Sequence, residues 1–533
     1  MERSIPIIDL FAGPGGLGEG FARFGPEDGL FGSPFKIRLS VEMDSFAHQT
    51  LLLRSFYRQF LRHEIPEDYY SYIKGDRSRE DLFARHSDAY NLAKQEALHR
   101  ELGREDHDPE IYAAIEHAVN EYSDHPWVLI GGPPCQAYSM IGRARRRVNG
   151  IGKEAHEQDK RNFLYLEYLR IIASFRPAVF VMENVTGILS SSVRGENIFT
   201  RIRSDLRRPL ETLKSEYPAI SVPDELEYRI YSLVVASDSP DELKPEDYII
   251  KCEEYGVPQA RHRVILLGVR SDLAVHPGVL KPQKAPKVSE VIQDLPPLRC
   301  ALSREVDDEA VWKAIIREAN VSSWIKELET SHPKLSERLP ELATELEQAV
   351  CAVRDGLHTG RPYLPRYRSP ERLKEWFLDP RLQGVCNHEA RAHMSSDIHR
   401  YLYAACYARV YGQSPLMCDF PEALLPEHQN VQRAISGDVF DDRFHVQQPD
   451  RPASTITCHI SKDGHYNIHF DPVQCRSLTV REAARLQTFP DNYYFEGSRT
   501  QQFRQVGNAV PPWLAYQIAD VVYNLIERSH ETC

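Results

Sequence analysis

The apolar positions of this chain fall into short runs with helical periodicities between them. Ile5 to Leu10 reads as a buried strand, Gly13 to Gly18 as a turn, and Leu17, Phe21 and Phe24 begin the apolar face of a helix. The plan repeats: Ile37 to Val41 predicts a strand that ends in the acid Glu42 and leads into a second helix. "WVLIGGPPCQ" is a strand running into a loop, and "YLRIIASFRPAVFVMENV" is a helix, a proline break and a strand. "RVILLGVR" predicts one strand more. Apolar strands alternating with helices predict an α/β fold with a parallel or mixed sheet, whose loops gather beyond the strand carboxyl ends.

From Val269 onward the pattern changes. Pro282, Pro286, Pro296 and Pro297 mark a linker, and residues from about Ala310 to Gly356 read as charged helices. Leu335, Leu339, Leu342, Leu346 and Val350 keep helical spacing, which Pro340 is expected to interrupt; the stripe predicts packing against a core. A further helix is expected from Ser396 to Val410. "ASTITCHI" and "HYNIHF" read as strands with "SKDG" as the turn between them, and "TVREAARLQTF" and "PPWLAYQIADVVYNLI" as amphipathic helices. A charged, mostly helical insertion at about 77–123 interrupts the α/β part.

Composition adds limits. The chain has 533 residues, 42% of them hydrophobic and 27% charged, which is enough apolar material for a large core. The sequence contains no apolar span of membrane-crossing length and no signal segment, so a cytoplasmic protein is expected, or a nuclear one in a eukaryote. Its 10 cysteines show no CxxC pair and predict free thiols in a reducing compartment. The net charge of −12 argues mildly against a polyanionic partner. The charge is uneven, however. Gln136 to Lys153 carries Arg143, Arg145, Arg146, Arg147 and Lys153 with no acid, and Arg361 to Trp376 is a second basic island; each alone is equally well a solvated loop.

The candidate chemistry sits at the ends of the expected strands. Gly13, Gly15 and Gly18 fit GxGxxG, and Glu42 ends the next strand, a pairing suited to the ribose of a nucleoside cofactor. That signal does not separate a nicotinamide cofactor from S-adenosylmethionine. "GGPPCQ" sets the thiol of Cys135 at a strand tip, and "MENV" ends another strand with Glu183. "VPQARHRVILLG" spaces Arg261 and Arg263 by two at a strand start, so both are expected on one face. "QVGNAVPP" places Asn508 just before the last helix.

In this order, "DLFAGPGGLGEGF", "VEMD", "GGPPCQAYS", "RNFLYLEYLRII", "FVMENV", "QARHRV", "REAARLQTFPD" and "GNAVPP" resemble the DNA cytosine-5 methyltransferase family. The resemblance implies a Rossmann-like methyltransferase domain, a mixed sheet with helices on both faces, plus a smaller, variable target-recognition domain. The implied division is a catalytic domain over 1–275, a target-recognition domain and hinge over 276–499, and a C-terminal segment, 500–533, returning to the catalytic domain. The cofactor is then S-adenosylmethionine, leaving as S-adenosylhomocysteine. Phe11, Gly13, Gly15, Gly16, Leu17, Glu42, Met43, Pro133, Leu164, Asn508 and Val510 are implied to hold it, with Asp76 of "IKGDR" as the acid that contacts adenine. Gln136, Ser139, Arg143, Arg145, Arg146 and Arg147, on a loop that closes over the flipped base, and Thr455 of "RPASTIT" are the implied DNA contacts.

The chemistry explains the residue types. Carbon 5 of cytosine is a poor nucleophile until a thiolate adds at carbon 6, which makes Cys135 the implied attacking group. Glu183 would serve ring nitrogen 3, Arg263 the cytosine carbonyl, and Arg261 the orientation of Glu183 or its surroundings. Such chemistry needs the base out of the stack, at a cost of roughly a few kcal/mol. Double-stranded DNA bound by a monomer, in a bacterial cytoplasm with a restriction or defence partner, is the implied setting; no metal and no membrane are expected. An RNA methylase of the same family and an inactive DNA-binding relative remain as alternatives. Cys386, His388, His393, His399 and Cys406 lie close in sequence but fit no common zinc spacing. Trp312, Trp324 and Trp376 are expected to pack helices and not to stack on bases.

Overall fold

The computed structural model describes residues 4–25, 33–120, 125–134, 161–193, 196–216, 226–366, 368–427, 431, 433 and 441–531. They form two compact units. The first comprises residues 1–69, 79–285 and 509–533, and the second comprises 70–78 and 286–508.

The first unit is built on one mixed sheet. Its strands are β1 (Ile5–Leu10), β2 (Phe35–Glu42), β3 (Ala97–His99), β4 (Val128–Gly131), β5 (Val179–Val185), β6 (Tyr228–Tyr231), β7 (Ile249–Lys251) and β8 (His262–Arg270). Their order is β3-β2-β1-β4-β5-β8-β6, with β7 pairing β8 on a side branch. β1 to β5 run parallel, Leu10 lying beside Val41 on one side and Gly131 on the other. β8 is antiparallel to β5, and its first residues meet the last of β5, with Arg263 beside Val185. Strand carboxyl ends and the start of β8 therefore share one edge.

The helices are α1 (Gly16–Arg23), α2 (Ser45–Arg58), α3 (Glu67–Lys74), α4 (Arg79–Arg85), α5 (Ser87–Glu96), α6 (Asp108–Asn120), α7 (Arg161–Phe175), α8 (Ile198–Arg207) and α9 (Pro209–Glu216), followed near the C-terminus by Pro512–Glu531. Two buried clusters flank the sheet. Ile8 and Leu10 pack with Ile111 and Ile115 of α6 and with Tyr168 and Ile172 of α7. Ile7, of opposite parity, packs with Leu17 and Phe21 of α1 and with Leu514, Ile518 and Val522. Both faces of β1 are covered, which is why its sequence is apolar throughout except at Asp9.

The expected insertion at 77–123 is not wholly an insertion. It contains β3, the sheet's edge strand, which is too short to show a periodicity.

The second unit holds the helices Glu309–Arg317, Val321–Ser331, Leu339–Cys351 and Ser395–Tyr411, and the antiparallel pair β9 (Gly360–Pro365) and β10 (Gly384–Glu389). Pro340 does not interrupt the leucine stripe. It stands in the first turn of its helix, where no backbone N–H is needed. Trp312, Trp324 and Trp376 are buried. The expected hairpin of "ASTITCHI" and "HYNIHF" is absent: Cys458–Ser461 is a 3-10 turn, and His465 to Ile468 bonds to His445 and Gln447 instead. The backbone groups of "HYNIHF" are thereby satisfied by a different partner.

The arginines of "RSLTVREAARLQTFPD" wire this unit internally. Arg476 forks onto Glu482 with both distances 2.7 Å, Arg481 donates to the carbonyls of Cys386, Pro490 and Tyr493, and Arg485 meets Asp491 and Asp294. Residues Tyr70–Lys74 of α3 join the same unit: the Tyr70 hydroxyl donates to Asp379 at 2.8 Å and the Tyr72 hydroxyl to Glu496 at 2.6 Å.

Candidate active site

At the end of β1 the chain turns through three residues with positive φ, Phe11 (57°), Gly13 (57°) and Gly15 (94°), before α1 begins at Gly16. Glycine adopts such angles without steric cost, so the turn is tight, with the Ala12 and Gly15 N–H groups donating to the carbonyls of Val41 and Ala12. Glu42, at the end of β2, locks it. One carboxylate oxygen accepts the Gly13 N–H at 2.7 Å and the other accepts the Asp44 N–H at 2.6 Å. Burial pushes the Glu42 carboxyl up, while these two bonds pull it down. The next residue, Met43, leaves 60% of its surface exposed, an apolar platform beside the turn. Gly16 and Leu17 are buried at the start of α1.

β1 and β4 are the strands from which the sheet order runs in opposite senses, and crevices at such points bind ligands. Across that crevice from the turn, β4 leads into Gly132, Pro133 and Pro134. A Cβ on Gly132 would lie 3.0 Å from Oε2 of Glu183, and the Asn184 side chain donates to the Pro133 carbonyl at 3.2 Å. The approach to Cys135 is thus laid against the end of β5. Cys135 itself lies outside the described residues, as do Gln136, Ser139, Arg143, Arg145, Arg146 and Arg147.

Glu183 pairs with Arg263, whose Nε stands 2.8 Å from Oε1, with both side chains largely shielded from water. The two arginines divide differently from the expectation. Arg261 precedes β8 and is 1% exposed, and its Nη2 donates to the Ala509 carbonyl at 3.0 Å. It holds the start of the C-terminal segment, while Arg263 holds Glu183.

The remaining expected residues separate. Pro133 and Leu164 belong to the first unit, as does Val510, which packs on its core. Asn508 and Thr455 belong to the second unit, Asn508 exposed at the end of helix Arg499–Asn508 and Thr455 half-buried. Asp76 is exposed, follows α3 and not a sheet strand, and belongs to the second unit, because Tyr70 and Tyr72 tie that stretch to Asp379 and Glu496.

The edge strand whose carboxyl end adjoins Glu42 is β3, and the residues after it went unpredicted. His99 bonds through Nε2 to the Met43 carbonyl at 3.1 Å and stacks on His48 with centroids 4.7 Å apart. Exposed Glu101 follows, and Gly103 abuts Leu164 and Glu167 of α7. The parallel register of Glu42 with His99 is the signal that identifies this loop, and it exists only in the folded sheet.

The Cys/His group in the second unit is engaged in hydrogen bonds. His388 bonds to the Thr479 hydroxyl and the Pro296 carbonyl, His393 to Ser477, and His399 to the Ile315 carbonyl.

Comparison with known proteins bears on this geometry. The chain matches the C-5 cytosine-specific DNA methylase family over residues 109–208 and 244–524. It is 32% identical to the type II methyltransferase M.Bpa9945I of Bacillus paralicheniformis, over 98% of this chain and 100% of that protein. It is 26% identical to M.DdeI of Desulfomicrobium norvegicum, over 74% of this chain and 71% of that one, and 26% identical to M.AgeI of Thalassovita gelatinovora, over 74% and 82%.

Proposed function

The chain belongs to the C-5 cytosine-specific DNA methylase family, and from that premise we propose how its residues divide the reaction. The enzyme is a DNA cytosine-5 methyltransferase that uses S-adenosylmethionine and a catalytic cysteine, and S-adenosylhomocysteine is the product. The observation that carries the residue assignment is the Glu183–Arg263 pair lying under the Gly132–Pro133 approach at the carboxyl edge of the sheet.

Cys135 is the nucleophile. Its thiolate forms a bond to carbon 6 of the flipped cytosine, the ring electrons move toward nitrogen 3, and carbon 5 becomes the nucleophile. Glu183 serves nitrogen 3, oriented by Arg263, which also reaches the cytosine carbonyl. Arg261 positions the chain at Ala509. After methylation, loss of the carbon 5 proton expels the Cys135 sulfur and restores the ring.

The donor supplies an electrophilic methyl on a positively charged sulfur. The residues fit it: a tight glycine turn, an acid ending β2 and the exposed Met43 stand at the switch point of the sheet. Phe11, Gly13, Gly15, Gly16 and Leu17 hold its methionine part, and Glu42 its ribose. Met43 and Glu101 face the adenine, Glu101 replacing Asp76, with Pro133, Leu164 and Val510 completing the pocket. The first unit is the catalytic domain and the second carries target recognition, through Thr455 and its neighbours. Gln136, Ser139 and the arginines 143, 145, 146 and 147 contact DNA.

The substrate is double-stranded DNA, bound by a monomer in the bacterial cytoplasm beside a restriction or defence partner. Among the described residues no helix is long and apolar enough to cross a membrane. Trapping on duplex DNA containing 5-fluorocytosine tests the assignment, because fluorine cannot leave as a proton does. A denaturation-resistant adduct is expected with S-adenosylmethionine present, and Cys135→Ala abolishes it. An adduct that survives the substitution, or labelling of transfer RNA in place of duplex DNA, refutes the reading.

A further inference from the structure

Asp9 is an acid in the middle of a fully buried strand. It is 1% exposed, its Oδ2 has no hydrogen-bond partner among the described residues, and it lies in β1 two residues before the glycine turn begins at Phe11. Its carboxyl accepts the N–H of Gly18, in the first turn of α1. The same carboxyl occupies the space a side chain at Gly18 would need: a Cβ there would sit 2.9 Å from Oδ2. The third glycine of the motif is therefore glycine because of Asp9. Strand and helix are clamped together on either side of the turn that holds the donor.

We propose that Asp9 is a positioning residue of the methyl-donor site, one that ties the first turn of α1 to β1 and gives up its proton when the positively charged donor binds. The proposal rests on the reading that the Gly13–Gly16 turn receives S-adenosylmethionine.

The surroundings of Asp9 support it. Burial pushes the carboxyl up to about 8, so it holds a proton at neutral pH in the free enzyme. Glu42 on β2 faces it as a second acid and raises it further, and Tyr168 on α7 adds no positive charge. Arg58 on α2 is the cation that faces it, and Arg58 already pairs with Glu96 at 2.5 Å. A sulfonium brought to the turn adds positive charge to that of Arg58 and favours the ionised acid. S-adenosylhomocysteine has the same amino and carboxylate groups but a neutral sulfur, so it lacks that effect.

Calorimetric titration of the full chain with each ligand, in two buffers of different ionisation enthalpy, reads the proton directly. If the donor lowers the acid from about 8 to about 7, roughly half a proton more is released with S-adenosylmethionine than with S-adenosylhomocysteine at pH 7.5. Asp9→Asn, which keeps the shape and can still accept the Gly18 N–H, should abolish the difference and retain binding of both ligands. Equal proton exchange for the two ligands, or a difference that persists in Asp9→Asn, overturns the proposal and leaves the donor site standing. Should the wild-type chain bind neither ligand, the donor reading fails with it. If Asp9→Asn does not fold, the wild-type profile decides: the difference should peak between about pH 7 and 8 and vanish below about pH 6. A difference undiminished at low pH overturns the proposal.

Discussion

Gly132→Ala is the most direct probe of the catalytic arrangement. Its new methyl group would start 3.0 Å from Oε2 of Glu183 and 3.4 Å from the Glu183 carbonyl. An ordinary contact needs about 0.5 Å more than the shorter of these. The backbone of β5 cannot supply it, because β5 is held between β4 and β8. The Glu183 carboxyl must turn, and turning it stretches the 2.8 Å bond to Arg263. A charge-assisted hydrogen bond of this kind is worth about 1.5–3 kcal/mol, and part of that is lost. Misplacing the group that serves the base should lower kcat by about 10- to 100-fold, about 1.4–2.8 kcal/mol in the barrier. Donor affinity should stay within about twofold of wild type, since the glycine turn and Glu42 are untouched. Single-turnover transfer of a tritiated methyl group to duplex DNA measures the first quantity and calorimetry the second. A folded variant whose rate stays within about threefold of wild type refutes the contact as a determinant of the rate.

Three further outcomes follow from the second unit. Arg485→Met should destabilise it by about 3–5 kcal/mol in chemical denaturation, because Asp294 would be left buried without its cation and Asp491 with Arg366 at 3.9 Å in place of a direct bond; a loss below about 1 kcal/mol contradicts this. Burial pushes His388 down to about 4 and also lowers His469, so both stay neutral when folded while the unfolded chain protonates near 6.5. Stability from these groups is present above about pH 6.5 and lost as pH falls toward 4, by up to about 3 kcal/mol for His388; tryptophan fluorescence in urea at stepped pH should show the midpoint dropping across that window, and a flat midpoint refutes it. Gly507→Ala drives a methyl group into the backbone of Thr457 and Cys458, so the segment after Thr455 must shift. The KM for DNA should rise about tenfold or more in steady-state assays while donor affinity holds, and an unchanged KM argues against a DNA-contacting role for that segment.

Much of this protein is legible without coordinates. A strand covered on both faces is built of apolar residues, so β1, β4, β5 and β8 appear as apolar runs, with Asp9 the exception inside β1, and the acids Glu42 of β2 and Glu183 of β5 mark the carboxyl edge of the sheet. Long helices announce themselves too, Ser395–Tyr411 by its length and Pro512–Glu531 by its amphipathic period as well.

Short or cooperative features do not announce themselves. β3 spans Ala97–His99, and its identity as a strand rests on pairing with β2, a contact between residues far apart in sequence. The hairpin expected at "SKDG" loses because His445 and Gln447 offer "HYNIHF" a better-satisfied partner. Asp76 follows a helix tied to Asp379, which the tyrosine spacing cannot reveal. Arg261 and Arg263 look equivalent by spacing, yet one reaches Ala509 and the other Glu183. Local pattern determines which segments become strands and helices and which residue types stand at their ends, because burial and backbone geometry act within a few residues. Tertiary structure decides which ends meet, and therefore which arginine pairs with Glu183, which loop adjoins Glu42 and Met43, and why Gly18 leaves room for the carboxyl of Asp9.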